Sequence, residues 1–237
     1  SAPLDTVGLM TRDARSLALG MSVLFGEPAP VAAVPDAEIV VATDLFTPLE
    51  PRMQELVAVI AEHLGGFPSL DVGDVGALFD VGYESFGVVQ GLAAWAEHGA
   101  WIEREQPGLA PDILARFHLA KTRRPEQEAP ARERAAAVYR PLTDVLNRGG
   151  FIIMPTAPAA AQKFTELSDP VALETREITR KQLLGLTSIS PLLGTPQIQI
   201  PMPNTDGVPR GITVMGAPGS DSVLLGLAQA WAATLGV

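Results

Sequence analysis

A mixed α/β fold is what this 237-residue sequence predicts, and three observations carry the prediction. Short runs rich in β-branched residues recur at 37–43, 151–156, 198–201 and 211–216, the length and composition of buried strands. Segments with apolar residues at i, i+3, i+4 and i+7 separate them. No internal repeat or low-complexity tract appears and no stretch separates two domains cleanly, so one domain is favoured over two.

The elements follow in order. "TRDARSLALGMSVLFG" places Ala14, Leu17, Met21 and Leu24 on one helical face, and Gly26 ends the run. "AEIVVAT" (37–43) reads as a strand. Pro51 opens a helix in which Met53, Leu56, Val57, Ile60 and Leu64 keep the helical spacing before Gly65-Gly66 stops it. "SLDV" (69–72) reads as a partner strand. Residues 86–102 read as a helix whose three glycines blur its ends. From 125 to 148, Ala131, Ala135, Val138, Leu142 and Val145 form one long amphipathic face. "FIIMPT" (151–156) is a central strand; "IQIP" and "GITVMG" are two more, joined by a turn-rich link suited to a hairpin. Asp221 is placed to cap a last helix, whose Leu224, Leu227, Ala228, Trp231 and Leu235 face a core.

Composition narrows the function. A net charge of −10 argues against nucleic acid or an anionic membrane as the main partner. The one dense basic stretch, Lys121 to Arg124 with Arg132 and Arg134, is interleaved with glutamates and reads as a solvated helical face. No apolar run approaches the roughly 20 residues that span a bilayer. With no signal-peptide pattern, the cytoplasm is the expected compartment. Zero cysteines exclude disulfides and thiol nucleophiles. His63, His98 and His118 lie too far apart for a zinc motif, so no metal and no cofactor are expected. Phosphate loops and the GxSxG elbow are absent.

Three ordered blocks add a resemblance. "SAPLDTVGLMTR" (1–12) resembles the "SxSLDTVGxxxR" segment of the amidase signature family. "FIIMPTAP" (151–158) resembles that family's "DvlvxPTxP" strand. "LLGTPQIQIPMPNTDGVPRGITVMGAPGSDSVLLGLAQAWA" resembles its late block, and the middle of the chain is most similar to the branch of plant indole-acetamide hydrolases. The resemblance implies a mixed central sheet flanked by helices, of which this chain supplies the C-terminal half. Such enzymes work through a lysine and two serines in a Gly/Ser-rich signature, which would lie before Ser1. Lys121, Lys163 and Lys181 sit in no such signature. No catalytic residue is therefore assigned here, and the expected partner is an N-terminal catalytic half, with a small-molecule amide as substrate.

The same resemblance places Asp5, Thr6, Trp101, Leu184, Thr187 and Ser190 as substrate-binding candidates. It also implies a specificity: glutamine-using relatives carry an acid where this chain has Leu183-Leu184-Gly185. A buried amino group without a partner is costly, so Leu184 and Leu186 point to an apolar or aromatic acyl group. Two other readings are weighed: a non-catalytic scaffold subunit, and a hydrolase using Ser1 as an N-terminal nucleophile.

Overall fold

The computed structural model describes residues 4–161, 170–203 and 206–237. Its sheet runs in the order β1 (Ile39–Val41), β2 (Phe151–Pro155), β4 (Arg210–Met215), β3 (Gln197–Met202). β1 and β2 are parallel, with Ile39 opposite Phe151. β4 is antiparallel to both β2 and β3, and β3 and β4 form the expected hairpin. All of β2 is buried, as a β-branched run between neighbours should be. β3 instead alternates: Ile198, Ile200 and Met202 face the core, while Gln197, Gln199 and Pro201 are exposed. The outer edge of β1 is covered by residues 68–70, where Val41 N–H donates to the Pro68 carbonyl (2.9 Å) and Leu70 N–H to the Val41 carbonyl (2.8 Å). The expected strand at 69–72 is thus a single bridge, Val41 to Ser69.

Helix α1 (Ala14–Phe25) starts on Asp13, whose carboxylate accepts from Ser16 N–H (2.7 Å), and ends on Gly26 at φ 69°, a left-handed cap that glycine adopts without strain. Asp13 is consequently held below the usual carboxylate range. α1 packs on the last helix, α10 (Asp221–Leu235), through Ala18, with Leu17 and Met21 against the core. Leu24, expected inward, is exposed. The small side chains of Ala18 and Ser22 bring the two helices together and rotate the buried stripe away from it. At α10 the N-cap residue is Ser220, not Asp221, which lies in the first turn. The rest of the α10 stripe is buried as expected.

The helix begun by Pro51 forms as α2 (Pro51–Gln54) and α3 (Leu56–His63). Residues 86–102 belong to one much longer helix, α4 (Val75–Glu105), which runs through its glycines. α5 (Pro111–Lys121) packs against it. The expected continuous face at 125–148 is broken into α6 (Glu128–Val138) and α7 (Arg140–Asn147). Pro141 cannot donate to the preceding turn, so the chain restarts there. After β2 come α8 (Pro170–Thr187) and α9 (Ile189–Leu193).

α4 and α8 cross closely because both carry glycine at the crossing. A Cβ on Gly185 would lie 2.8 Å from Phe79 Cα, and one on Gly82 would lie 2.9 Å from Ser188 Oγ and meet the Tyr139 hydroxyl. Tyr139 is fully buried, and its hydroxyl lies 3.3 Å from Ser188 Oγ. Burial pushes the phenol up to about 12, against the smaller opposing effect of that hydrogen bond.

Candidate functional site

A hollow of about 800 Å³ opens between residues 4–13 and α1 on one side, β3 and the 190–196 turn on another, and α10 as its floor. Leu17, Met21, Leu224 and Leu225 make its base apolar, while Thr6, Arg12, Gln197 and Gln199 supply polar groups. The local sequence dictates this division. β3 alternates with period two, so one side of "QIQIPM" feeds the core and the other presents glutamine amides.

Thr6 and Ser190 are the two sequence candidates that line this groove together. Ser190 is buried, and its hydroxyl donates to the Thr195 carbonyl (2.5 Å), closing the turn before β3. Asp5, beside Thr6, is exposed. Leu184 is half-buried and lines neither this groove nor the next hollow described below. Thr187 is exposed, and its hydroxyl donates to the Leu183 carbonyl (2.9 Å), a bond within its own helix. Trp101, 43% exposed on α4, also lines neither hollow. Leu186 is fully buried in the core, so it cannot face a ligand as its place in the sequence implied.

A second hollow, about 650 Å³, lies where α4 and α8 meet residues 44–48, lined by Asp44, Phe79, Asp80, Lys181 and Gln182. Lys181 Nζ is 2.7 Å from Asp80, and this hydrogen bond raises its pKa. Lys121 is likewise paired, 2.6 Å from Glu103 and over the ring of Trp95. Lys163 lies outside the described residues. A lysine held as an ammonium ion is a poor general base. The groove itself is lined by hydroxyls but by no lysine or histidine. Among the described residues no three His, Asp or Glu side chains gather as a metal site.

Sequence reasoning missed Met10, Gln197 and Gln199. The alternation in "QIQIPM" was the available signal for the two glutamines. At the far end of the hairpin, Arg210 is almost buried and is held by Asp206 (2.9 Å) and Glu50 (3.7 Å). Arg210 in turn keeps the Asp206 carboxyl below its usual range.

Comparison with known proteins accounts for this layout. No family model matches the chain. Amidase 1 of Arabidopsis thaliana is 24% identical over 97% of the chain and 60% of its own length. Amidase 1 of Oryza sativa is 24% identical over 95% of the chain and 57% of its own length. A crystal structure of an amidase superposes over 96% of the chain with TM-score 0.78 at 20% identity. A bacterial aryl acylamidase, described as an amidase signature enzyme, gives 0.66 at 17%. The chain shares the fold of amidase signature enzymes.

Its mixed sheet flanked by helices is the amidase signature fold, and its extent is informative. The chain spans about half the length of its relatives: 52% of both of these crystal structures. The similarity is not confined to enzymes named for hydrolysis. Outer envelope protein 64, chloroplastic, of Arabidopsis thaliana is 25% identical over 97% of the chain and 42% of its own length. Among the described residues no helix is long and apolar enough to cross a membrane.

Proposed function

We propose that this chain is the substrate-pocket half of an amide-bond hydrolase, a C-terminal half whose nucleophile and base are carried by the N-terminal part of the fold. One observation carries the reading. The chain aligns with amidases over nearly its whole length yet covers about half of theirs, and its groove is lined by hydroxyls with no lysine or histidine among them. Acyl transfer needs an activated nucleophile and donors placed where the oxyanion forms; the groove has hydroxyls but no lysine or histidine to activate them. What it supplies is an apolar trough with polar groups along it, suited to hold an acyl chain and exclude water.

The substrate class follows from that trough. An apolar or aromatic carboxamide fits a floor of Leu17, Met21 and Leu224, with Thr6 and Ser190 beside the acyl group. Asp5, Trp101, Leu184 and Thr187 act on binding from outside the groove as seen in this chain alone. The solved relative described as an aryl acylamidase supports the aromatic class. Localisation in the cytoplasm belongs to the same proposal.

The test is reconstitution. The chain and its N-terminal half, purified together, should hydrolyse an aryl carboxamide and leave glutamine untouched. Turnover of glutamine at a comparable rate would overturn the substrate assignment. The match to outer envelope protein 64, whose name describes a place and not a reaction, favours a scaffold as the second reading. A stable complex with no turnover of any amide would select it.

A further inference from the structure

We infer that the peptide link between Asp206 and Gly207 is a site of spontaneous backbone modification, succinimide formation followed by isomerisation to isoaspartate, and that the Arg210 guanidinium holds it in check. The site and its guard belong to the β3–β4 hairpin and do not depend on the proposed activity.

The reactive parts are all present. Asp206-Gly207 is the one Asp-Gly dipeptide of the sequence, and it lies exposed in the link between β3 and β4. A glycine after the aspartate leaves no side chain to shield the amide between them. Gly207 sits at φ 74°, a left-handed conformation natural to glycine, and a Cβ there would meet nothing within 4 Å. Among the described residues no hydrogen bond holds the Gly207 N–H. The Asp206 carboxylate accepts instead from Val208 N–H (3.0 Å), the turn-forming habit of aspartate. In the reaction the Gly207 nitrogen attacks Asp206 Cγ. An N–C bond forms, the carboxyl C–O bond breaks, and the hydroxyl leaves as water with the amide proton. A second water then opens the cyclic imide. Cleavage at Cγ restores aspartate, whereas cleavage at the main-chain carbonyl gives isoaspartate, with the backbone running through Cβ. No oxidant or cofactor enters.

Arg210 opposes the first step. Its Nη1 donates to both oxygens of Asp206 (2.9 and 3.0 Å) and to the Val208 carbonyl (3.2 Å). The departing oxygen must be protonated before it can leave as water, and a carboxylate held by a guanidinium resists protonation. The Asp206 carboxyl is held below its usual range by the Arg210 hydrogen bond first, then by the Val208 N–H and the charges of Arg210 and Arg52, against a smaller cost of burial. Glu50 and Glu55 stand behind these two arginines, at 3.7 Å and 2.8 Å. The guard is itself committed to its place. The Arg210 side chain is only 7% exposed, and its Nε–H has no partner among the described residues. A nearly buried cation depends on the carboxylates beside it. Isomerisation would carry the Asp206 carboxylate along a lengthened backbone and strip Arg210 of its nearest partner, beside the pairing of Met202 with Arg210.

The experiment ages the 237-residue chain at stepped pH, folded in buffer and unfolded in urea. Isoaspartate at position 206 is counted by electron-transfer fragmentation of the peptide that holds it, because the mass does not change. The unfolded chain should accumulate it, and the folded chain should do so slower by roughly tenfold or more. Because the neutral carboxyl reacts, the folded rate should also fall away at lower pH than the unfolded rate. Arg210→Met should speed the folded reaction severalfold and move that fall to higher pH. Arg210→Lys keeps a cation without the fork and should lie between the two. Circular dichroism checks that each variant folds, and the lysine variant decides the matter if the methionine variant does not. Equal rates in the folded and unfolded chain would overturn the protection, and no isoaspartate in either would overturn the site. Faster reaction in the variants with an unmoved pH profile would also overturn the guard, since a loosened loop alone behaves that way.

Discussion

The crossing of α4 and α8 gives the sharpest test of the packing, because one substitution should have opposite signs at two glycines. At Gly185 a new Cβ would stand 2.8 Å from Phe79 Cα and 3.0 Å from both its Cβ and its carbonyl oxygen. Two of these are backbone atoms, so no rotamer change relieves the contact and the helices must separate. Overpacking of this kind costs roughly 1–3 kcal/mol. The helix-propensity gain from glycine to alanine returns at most about 1 kcal/mol. With the full propensity gain set against that cost, Gly185→Ala should be net destabilising by up to about 2 kcal/mol. At Gly87, also within α4, a Cβ would meet nothing within 4 Å. Gly87→Ala should therefore stabilise, by up to about 1 kcal/mol. Urea unfolding of both variants against wild type, followed by circular dichroism, measures the pair. Equal signs for the two, or a stabilising Gly185→Ala, would refute the close crossing.

Further predictions concern charge and substrate. Tyr139 has a folded pKa near 12 against an ordinary 10.0. The folded state therefore holds its proton where the unfolded state has lost it. The contribution is whole below pH 10 and is lost as pH rises toward 12, by roughly 2–3 kcal/mol in all. The stability difference between wild type and Tyr139→Phe should shrink by about that amount over this range in urea titrations at stepped pH; a constant difference would contradict the burial assigned to the phenol. Asp206→Ala leaves Arg210 with Glu50 at 3.7 Å as its remaining carboxylate, and should lower the thermal unfolding temperature because the nearly buried guanidinium loses its closest partner. Leu184→Asp, in the reconstituted enzyme, should raise KM for an aryl carboxamide more than it lowers kcat for propionamide. Equal losses on the two substrates would show that Leu184 supports the fold and is remote from the acyl group.

The parts of the fold legible in the sequence are those whose pattern is local. "FIIMPT" is buried along β2, and "IQIP" pairs antiparallel with "GITVMG". The α10 stripe faces the core, because its period is set within one helix. What failed was set by contacts between distant segments. The extent of α4 was blurred by glycines, yet Gly82 is there because Tyr139 and Ser188 approach it. Leu24 was placed inward by periodicity, whereas Ala18 and Ser22 decide which side of α1 meets α10. The break at Tyr139 was written in Pro141, although the apolar spacing runs through it. The groove was harder still. Thr6 and Ser190 are 184 positions apart in the numbering, and only the seating of residues 4–13 near β3 brings them into one hollow. Leu184 and Leu186 sit two apart on α8, where helical geometry turns them to different sides. Leu186 fills the core, and Leu184 is left half-buried.

The central claim, that this chain shapes an amidase pocket but does not hold its chemistry, is tested most directly by one measurement. Release of carboxylate from an aryl carboxamide is followed with the 237-residue chain alone, with its N-terminal half alone, and with the two combined. Turnover in the combined sample only is the predicted result. Turnover by the 237-residue chain alone, abolished by acetylating Ser1, would contradict the account and make the N-terminal serine the nucleophile.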